Sequence, residues 1–526
     1  MSLSGLISTT TFKEQPAIVR RSGNYKPPLW DAHFIQSLQV IYTEESYGKR
    51  INELKEDVRR ILEKEAENPL VKLEQINDLS RLGISYHFED QIKAILNLTY
   101  NNNNALWKKD NLYATALHFK LLRQYGFNPV SSEIFNAFKD EKKEFKESLS
   151  KDVKGMVCLY EASFYSFRGE PILDEARDFT TKHLKQYLMM TRQGQNVDHD
   201  DDNDLMVKLV EHALELPVHW RMKRLEARWF IDMYAEMSHH HHMNSTFLQL
   251  AKLDFNVVQS TYQEDLKHVV RWWKTTSLGE RLPFARDRIV EIFLWSVGLK
   301  FEPQFRYCRK MLTKIGQLVT TMDDIFDVWD INTIDQLPDY MKIFFLATYN
   351  VWTDLCKCYM LEANWYHSGY TPSLEEYIKN GWISIAEPLI LVNLYCLITN
   401  PIKEDDIDCL LQYPTFIRIS GIIARLDELK RGDNPKSIQC YMKENGICDE
   451  KNGREHIRNL ISETWKEMNE ARVGESPFSQ AFIETAIDFV RTAMMIYQKE
   501  QDGVGTNIDH YTKDGIISLF FTSIPI

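Results

Sequence analysis

From residue 42 onward apolar and polar positions follow one another at three- and four-residue spacings, interrupted by short polar or Gly/Pro breaks. In residues 247–270 the apolar and aromatic positions are 247, 250, 251, 257, 258, 262, 266 and 269. That tracks a 3.6-residue period and predicts one buried helix face. The same pattern predicts helices over residues 46–67, 112–125 and 174–189, while the period-two alternation of strands is scarce. The expected fold is all-α. A chain of 526 residues exceeds what one ordinary core organises, so two stacked helical domains are expected. The break Leu214-Glu215-Leu216-Pro217 precedes an Arg-rich helical stretch over 221–231. It divides an N-terminal domain over 20–217 from a C-terminal domain over 218–526, with residues 1–19 as an extension.

One stretch departs from the pattern. Residues 318–328 are apolar except for two threonines and three carboxylates, Asp323, Asp324 and Asp327. On a helix Asp323 and Asp327 share a face, and two charges about 6 Å apart repel by roughly 2–3 kcal/mol at an effective dielectric of 20. A solvated helix face would tolerate this, but the flanking residues read as buried, so a counter-cation is expected. Carboxylate oxygens at this spacing suit Mg²⁺, which takes one or two carboxylates plus waters and substrate phosphates. Upstream, Arg286-Asp287-Arg288 sets two guanidinium groups two residues apart at the start of a helical segment. Purely structural pairing with Asp287 or Glu291 is the plain reading of that triplet. Beside an acidic helix, the arginine fork points to a diphosphate. Trp272, Trp273, Phe293, Trp295, Phe326 and Trp329 accompany these groups. Most are expected in the core, and a few ring faces on an apolar cavity would stabilise a cationic intermediate by about 2 kcal/mol or more each.

The net charge of −12 and the absence of a basic run exclude a nucleic-acid partner. The longest apolar run, residues 388–399 with Asn393 inside it, is too short to span a bilayer and is expected as a core helix, so no membrane span is expected. Eight cysteines lie apart except for Cys356 and Cys358, whose spacing matches neither a zinc nor a redox pair, and they read as reduced thiols. Residues 1–19 carry Ser and Thr, no Arg, and Lys13 with Glu14; as a remnant of a transit peptide they leave plastid and cytoplasm both open. The acidic tract of residues 198–204 literally matches D-x-D-D from Asp198 and D-D-x-x-D from Asp200, but as low-complexity sequence it reads as a loop. The four histidines 239–242 read as a loop for the same reason.

Together these residues make the chain similar to plant class I terpene synthases along almost its whole length. Arg20-Arg21, eight residues, then Trp30 resembles the R-R-x8-W signature of the monoterpene-forming branch. Asp323-Asp324-Ile325-Phe326-Asp327 resembles the D-D-x-x-D metal motif, and Arg286-Asp287-Arg288 the R-x-R diphosphate motif. The resemblance implies an N-terminal α-barrel without chemistry of its own and a C-terminal α-bundle that holds three Mg²⁺ ions, or Mn²⁺ in their place, and a prenyl diphosphate. It implies that Asp323, Asp327 and Glu428 ligate metal, that Arg286 and Arg425 bind the diphosphate, and that Arg20 and Arg21 cap the site and assist isomerisation of the substrate. The implied reaction is that of a lyase converting geranyl diphosphate to a monoterpene, and a monomer is expected.

Three places depart from the family pattern. The second metal motif, R-L-x-(N/D)-D-x-x-(S/T)-x-x-x-E, keeps its opening at Arg425-Leu426 and its close at Asp427-Glu428 but lacks about eight residues between. Losing eight helical residues shortens a helix by about 12 Å and rotates the downstream residues by roughly 80°. A Tyr-Gly-Thr-Leu-containing segment is missing after Val328, and a helix and loop are missing at Asn350-Val351. The family sequence resumes cleanly after each gap, which suggests mis-spliced exons or a wrong gene model more than gradual decay. The alternative expectation is a catalytically impaired or inactive homologue.

Overall fold

The structure, a computed structural model, describes residues 27–526 apart from 67, 102–104, 109, 128–130, 194–200, 238–242, 329–352, 400–401, 403, 428–434 and 498–509. Among the described residues regular structure is helical throughout, with one isolated bridge between Lys139 and Phe145. The expected helices are present as Glu44–Glu63, Leu112–Gln124, Pro171–Arg192 and Ser245–Thr276. Three of these starts are set by caps that apolar periodicity does not report, while Pro171–Arg192 opens on a proline in its first turn. Thr43 accepts from Ser46 N, Asn111 from Ala114 N, and Asn244 from Thr246 N and Phe247 N, each satisfying an orphan amide of a first turn.

The acidic tract corrects one expectation. Residues 194–200 lie outside the described residues, but from Asp201 the chain is helical, over Asp201–Glu215. Carboxylates in a first turn are favoured by the unpaired amides and the helix dipole, so Asp201, Asp202 and Asp204 start a helix rather than extend a loop. His239 to His242 lie outside the described residues.

In the C-terminal half the helix Ile289–Leu299, apolar nearly all round, is central and packs against both Arg306–Val328 and Gln480–Tyr497. Gly316 lets two of these helices approach, since a Cβ there would stand 2.6 Å from Ile292 Cγ2. Thr415–Asp427 packs on Leu374–Ser384, Glu387–Ile398, Glu450–Val473 and Gln480–Tyr497. The stretch Leu374–Ile398 is long and apolar enough by composition to cross a membrane. It is split at Ala386, which takes a left-handed φ of 64°, and Leu391, Leu394 and Tyr395 are buried in the core.

The two halves are joined by polar contacts: Asn469 Nδ2 donates to Phe164 O and Ser166 O at 3.0 Å each, Arg177 Nη1 donates to Ser462 Oγ at 2.8 Å, and Lys466 Nζ donates to Asp174 Oδ2 at 2.9 Å. Beside this seam the Trp220 ring stacks on Trp465 at 5.3 Å, and Arg491 Nε donates to the His219 carbonyl at 2.8 Å. Burial works to raise the Glu484 carboxyl, but Arg472, Lys223 and Arg491 outweigh it and hold the group well below the usual carboxylate range. The last residues fold back onto Ser245–Thr276: Asn256 exchanges two 2.8 Å hydrogen bonds with the Ile524 backbone, and Gln263 Nε2 donates to Phe520 O at 2.8 Å. Trp30 packs on Phe521 with ring centroids 5.1 Å apart, so the start of the described chain meets its end.

Candidate active site at the acidic helix

The helix Arg306–Val328 carries Asp323, Asp324 and Asp327 in its last two turns. Gln317, fully buried, ties it to the arginine turn: its side chain accepts from Arg288 N at 3.2 Å and donates to Arg286 O at 2.8 Å. This clamp holds Arg286 against the aspartates. The Arg286 backbone N–H donates to Asp324 Oδ2 at 2.6 Å, its Nε to Asp324 Oδ1 at 2.8 Å and its Nη2 to Asp323 Oδ2 at 2.5 Å. Arg286, Asp323 and Asp324 are 5%, 8% and 1% exposed. Charge-assisted bonds at such burial are strong, and a side chain held by both its backbone and its guanidinium has little freedom left.

The structure thus brings together two of the expected site residues, Arg286 and Asp323, and adds a third that the sequence reading placed only beside them. Asp324 is the residue that positions Arg286. The Asp327 side chain lies outside the described residues, as do Arg20, Arg21 and Glu428. Arg425 is described and buried. Its Nη2 donates to Glu362 Oε1 at 2.7 Å, and its guanidinium lies 5.2 Å from the Tyr377 ring centroid. Glu362 also accepts from Asn380 Nδ2 at 3.1 Å and Ser384 Oγ at 2.5 Å, so Arg425 belongs to a network linking three helices.

Burial lowers the Arg288 guanidinium pKa, with Glu291 opposing it. Glu291, one turn into the next helix, is pushed up from 4.5 to about 7, chiefly by burial, with Arg288 acting in the opposite sense. In the folded chain this carboxyl keeps a proton between about pH 4.5 and 7 that the unfolded chain has already released. Its contribution to stability is therefore fullest below that window and is lost as pH rises through 7. Glu291→Gln removes the titration. The stability of the variant is expected to gain on that of the parent by about 1–3 kcal/mol between pH 5 and pH 8, read from melting curves, and a gap that stays constant contradicts the assignment.

A cavity of about 120 Å³ opens beside the acidic helix, lined among others by Trp295, Val319, Thr320, Ala386, Phe489 and Tyr497. The helix contributes Leu312, Gly316, Val319 and Thr320 to this lining, Val319 one helical turn before Asp323. Trp295 and Phe489 have ring centroids 5.0 Å apart, and Tyr497 lies 6.3 Å from Trp295. Of the aromatic candidates, Trp295 lines this cavity. Phe293 is core, packed on Phe520 at 5.2 Å, and Trp273 is buried in the same core. The Phe326 side chain and Trp329 lie outside the described residues. Phe489 and Tyr497 come from a helix far along the chain and carry no motif that marks them. A larger cavity of about 590 Å³ lies among the N-terminal helices, lined by Asp78, Lys120 and Glu161 among others, and shares no residue with the acidic helix.

The donor set fits a hard divalent cation. Asp323 and Asp324 both bond Arg286 at the end of this helix. Carboxylate oxygens of this kind suit Mg²⁺ or Mn²⁺, and among the described residues no group of three or more acidic, His or Cys side chains is gathered into a complete cage.

The description "Terpene synthase, N-terminal domain" matches residues 29–214. "Terpene synthase family, metal binding domain" matches in two stretches, 274–353 and 348–467, which meet where the family pattern jumps at Asn350-Val351. A myrcene synthase of Cannabis sativa is 92% identical over 573 positions, covering 100% of both chains. That alignment is 47 positions longer than the 526-residue chain, and 92% of 573 is about as many identities as the chain has residues. The two sequences therefore differ almost wholly by segments this chain lacks. A crystal structure of limonene synthase with 2-fluorolinalyl diphosphate superposes with a TM-score of 0.87 at 38% identity, covering 96% of this chain and 100% of that one. Isoprene synthase of grey poplar, in complex with three Mg²⁺ ions and dimethylallyl-S-thiolodiphosphate, gives 0.81 at 36% identity, covering 94% and 99%. Relatives from Humulus lupulus and Quercus ilex, 57% and 50% identical, are named chloroplastic.

Proposed function

The chain belongs to the terpene synthase family, and on that premise we propose that it ionises geranyl diphosphate at the acidic helix and releases the acyclic monoterpene myrcene. It is a metal-dependent lyase acting on a prenyl diphosphate. The observation that carries the finer reading is the Arg286–Asp323–Asp324 cluster on the helix whose preceding turns wall an aromatic-lined cavity. The expectation of an impaired homologue has no support among the relatives. The choice of product follows the Cannabis sativa relative, and the ten-carbon substrate follows the branch signature and the limonene synthase likeness.

Asp323, Asp327 and Glu428 would hold the divalent cations, three by analogy with the isoprene synthase complex. Bound there, the metal supplies Lewis-acid stabilisation of the departing diphosphate. Arg286 holds a diphosphate oxygen, and its fixed geometry means little reorganisation as charge develops. The bond between C1 and the diphosphate oxygen breaks with its electron pair going to oxygen, which leaves an allylic cation. Trp295, Phe489 and Tyr497 offer that cation aromatic rings in a mainly apolar lining, to which Ser296, Thr320 and the Tyr497 phenol add hydroxyl groups. Loss of one proton from the methyl group on C3 to the departing diphosphate completes a conjugated diene, leaving the far double bond isolated and no ring closed. A monomer in the plastid is the setting we propose, the latter from the relatives' names.

The test is diphosphate release from geranyl diphosphate before and after removal of divalent metal by a chelator. Release is expected to fall to the uncatalysed level and to return on adding Mg²⁺ or Mn²⁺. Release that persists without metal contradicts the proposal.

A further inference from the structure

The cavity wall opposite the acidic helix is a break between two helices. Leu374–Ser384 ends, Ile385 and Ala386 turn, and Glu387–Ile398 begins. Ile385, Ala386 and Ile390 line the cavity, so the geometry of this turn shapes that space. Ala386 holds a left-handed φ of 64°, a conformation that a residue with a Cβ keeps only when its surroundings impose it.

Those surroundings centre on Glu387. Its side chain is 0% exposed and reaches to the helix Thr415–Asp427, where Oε1 meets Ser420 Oγ in a short hydrogen bond. The neighbouring Gly421 lets the helix Leu374–Ser384 that leads into the break come close, since a Cβ there would stand 2.7 Å from Trp382 O. Ser420 Oγ has a single hydrogen, yet it lies within bonding distance of two acceptors, Glu387 Oε1 and the Ile417 carbonyl at 2.9 Å. An ionised Glu387 would leave one of these contacts without a proton. A neutral acid satisfies both: the carboxylic O–H donates to Ser420 Oγ, and Ser420 donates to Ile417 O. Burial acts in the same sense, pushing the Glu387 carboxyl well above its ordinary range with only the Ser420 bond opposing.

We infer that Glu387 is a positioning residue which, as a neutral acid, ties the helix break at Ile385 and Ala386 to the helix carrying Arg425, and so sets the proportion of acyclic to cyclic product. Cyclisation needs the far double bond to fold back onto the cation, and the wall formed by the break limits that fold. The effect on product rests on the prenyl diphosphate reading above; the structural link does not.

Glu387→Gln, Glu387→Ala and Ser420→Ala in the full chain separate the two. Hydrogen exchange of the amides in residues 385–390 reads the link without any turnover. Glu387→Ala and Ser420→Ala are expected to speed exchange there by about 10-fold or more, with distant helices unchanged, while Glu387→Gln, whose amide can still donate to Ser420 Oγ, stays within about twofold. With geranyl diphosphate and Mg²⁺, the cyclic share of product is expected to change by about threefold or more in the alanine variants, with KM moving less than kcat, and to return to the parent value in the Gln variant. Unchanged exchange in the alanine variants overturns the inference, as does a Gln variant as perturbed as the Ala one. Should Glu387→Ala fail to fold, Ser420→Ala decides alone. Absence of any terpene from the parent chain overturns the functional reading, while the exchange data still judge the link.

Discussion

Asp323→Ala is expected to lower metal-dependent diphosphate release by about 10³-fold or more, the largest single loss available in this chain. The substitution removes a carboxylate from the proposed metal site and frees Arg286 Nη2 from its 2.5 Å partner. Folding should survive, because Asp324 keeps two hydrogen bonds to Arg286, at 2.6 and 2.8 Å, so the guanidinium is not left buried without a counter-charge. Circular dichroism and a melting curve close to the parent's, combined with lost diphosphate release, are the expected pair of results. Turnover undiminished in a folded variant refutes the metal assignment.

The second large effect is a gain. Inserting the eight-residue family pattern between Leu426 and Asp427 supplies the Asn/Asp and Ser/Thr oxygens of the second metal motif and lengthens the helix by about 12 Å. Metal sites are sensitive to the loss of single groups that hold or orient the ion, by about 10–100-fold in affinity or activity, and here two ligands are wanting. Turnover at limiting Mg²⁺ is therefore expected to rise by at least about 10-fold in the extended chain. The Arg425 network with Glu362 and Tyr377 lies on the helix before the insertion, which gives the added turns a fixed base. The Mg²⁺ dependence of kcat/KM measures this, and an extended chain with the parent's Mg²⁺ dependence would show that the shortened motif costs nothing.

Much of this was legible in the sequence because it rests on local rules. The period of residues 247–270 placed the helix Ser245–Thr276 to within about two turns at each end, the cap at Asn244 and the left-handed Ser277 accounting for the difference. Asp323 and Arg286 were legible because carboxylates within an apolar run, preceded by paired arginines, have few other uses. The role of Asp324 was not, since its partner is the backbone and side chain of a residue 38 positions away. Phe489 and Tyr497 escaped for a similar reason: apolar residues at helical spacing do not reveal whether they face a core or a cavity. Glu387 stands where the sequence shows only an acid before Pro388, and its burial comes from a partner, Ser420, 33 positions away. Asp201 and Asp204 were misread as loop because composition weighed more than the preference of acids for helix starts.

The most direct measurement is gas-chromatographic analysis of products from the chain as it stands, incubated with geranyl diphosphate and Mg²⁺. Myrcene as the main product, absent when Mg²⁺ is withheld, is the predicted result. No terpene above the enzyme-free control would contradict it.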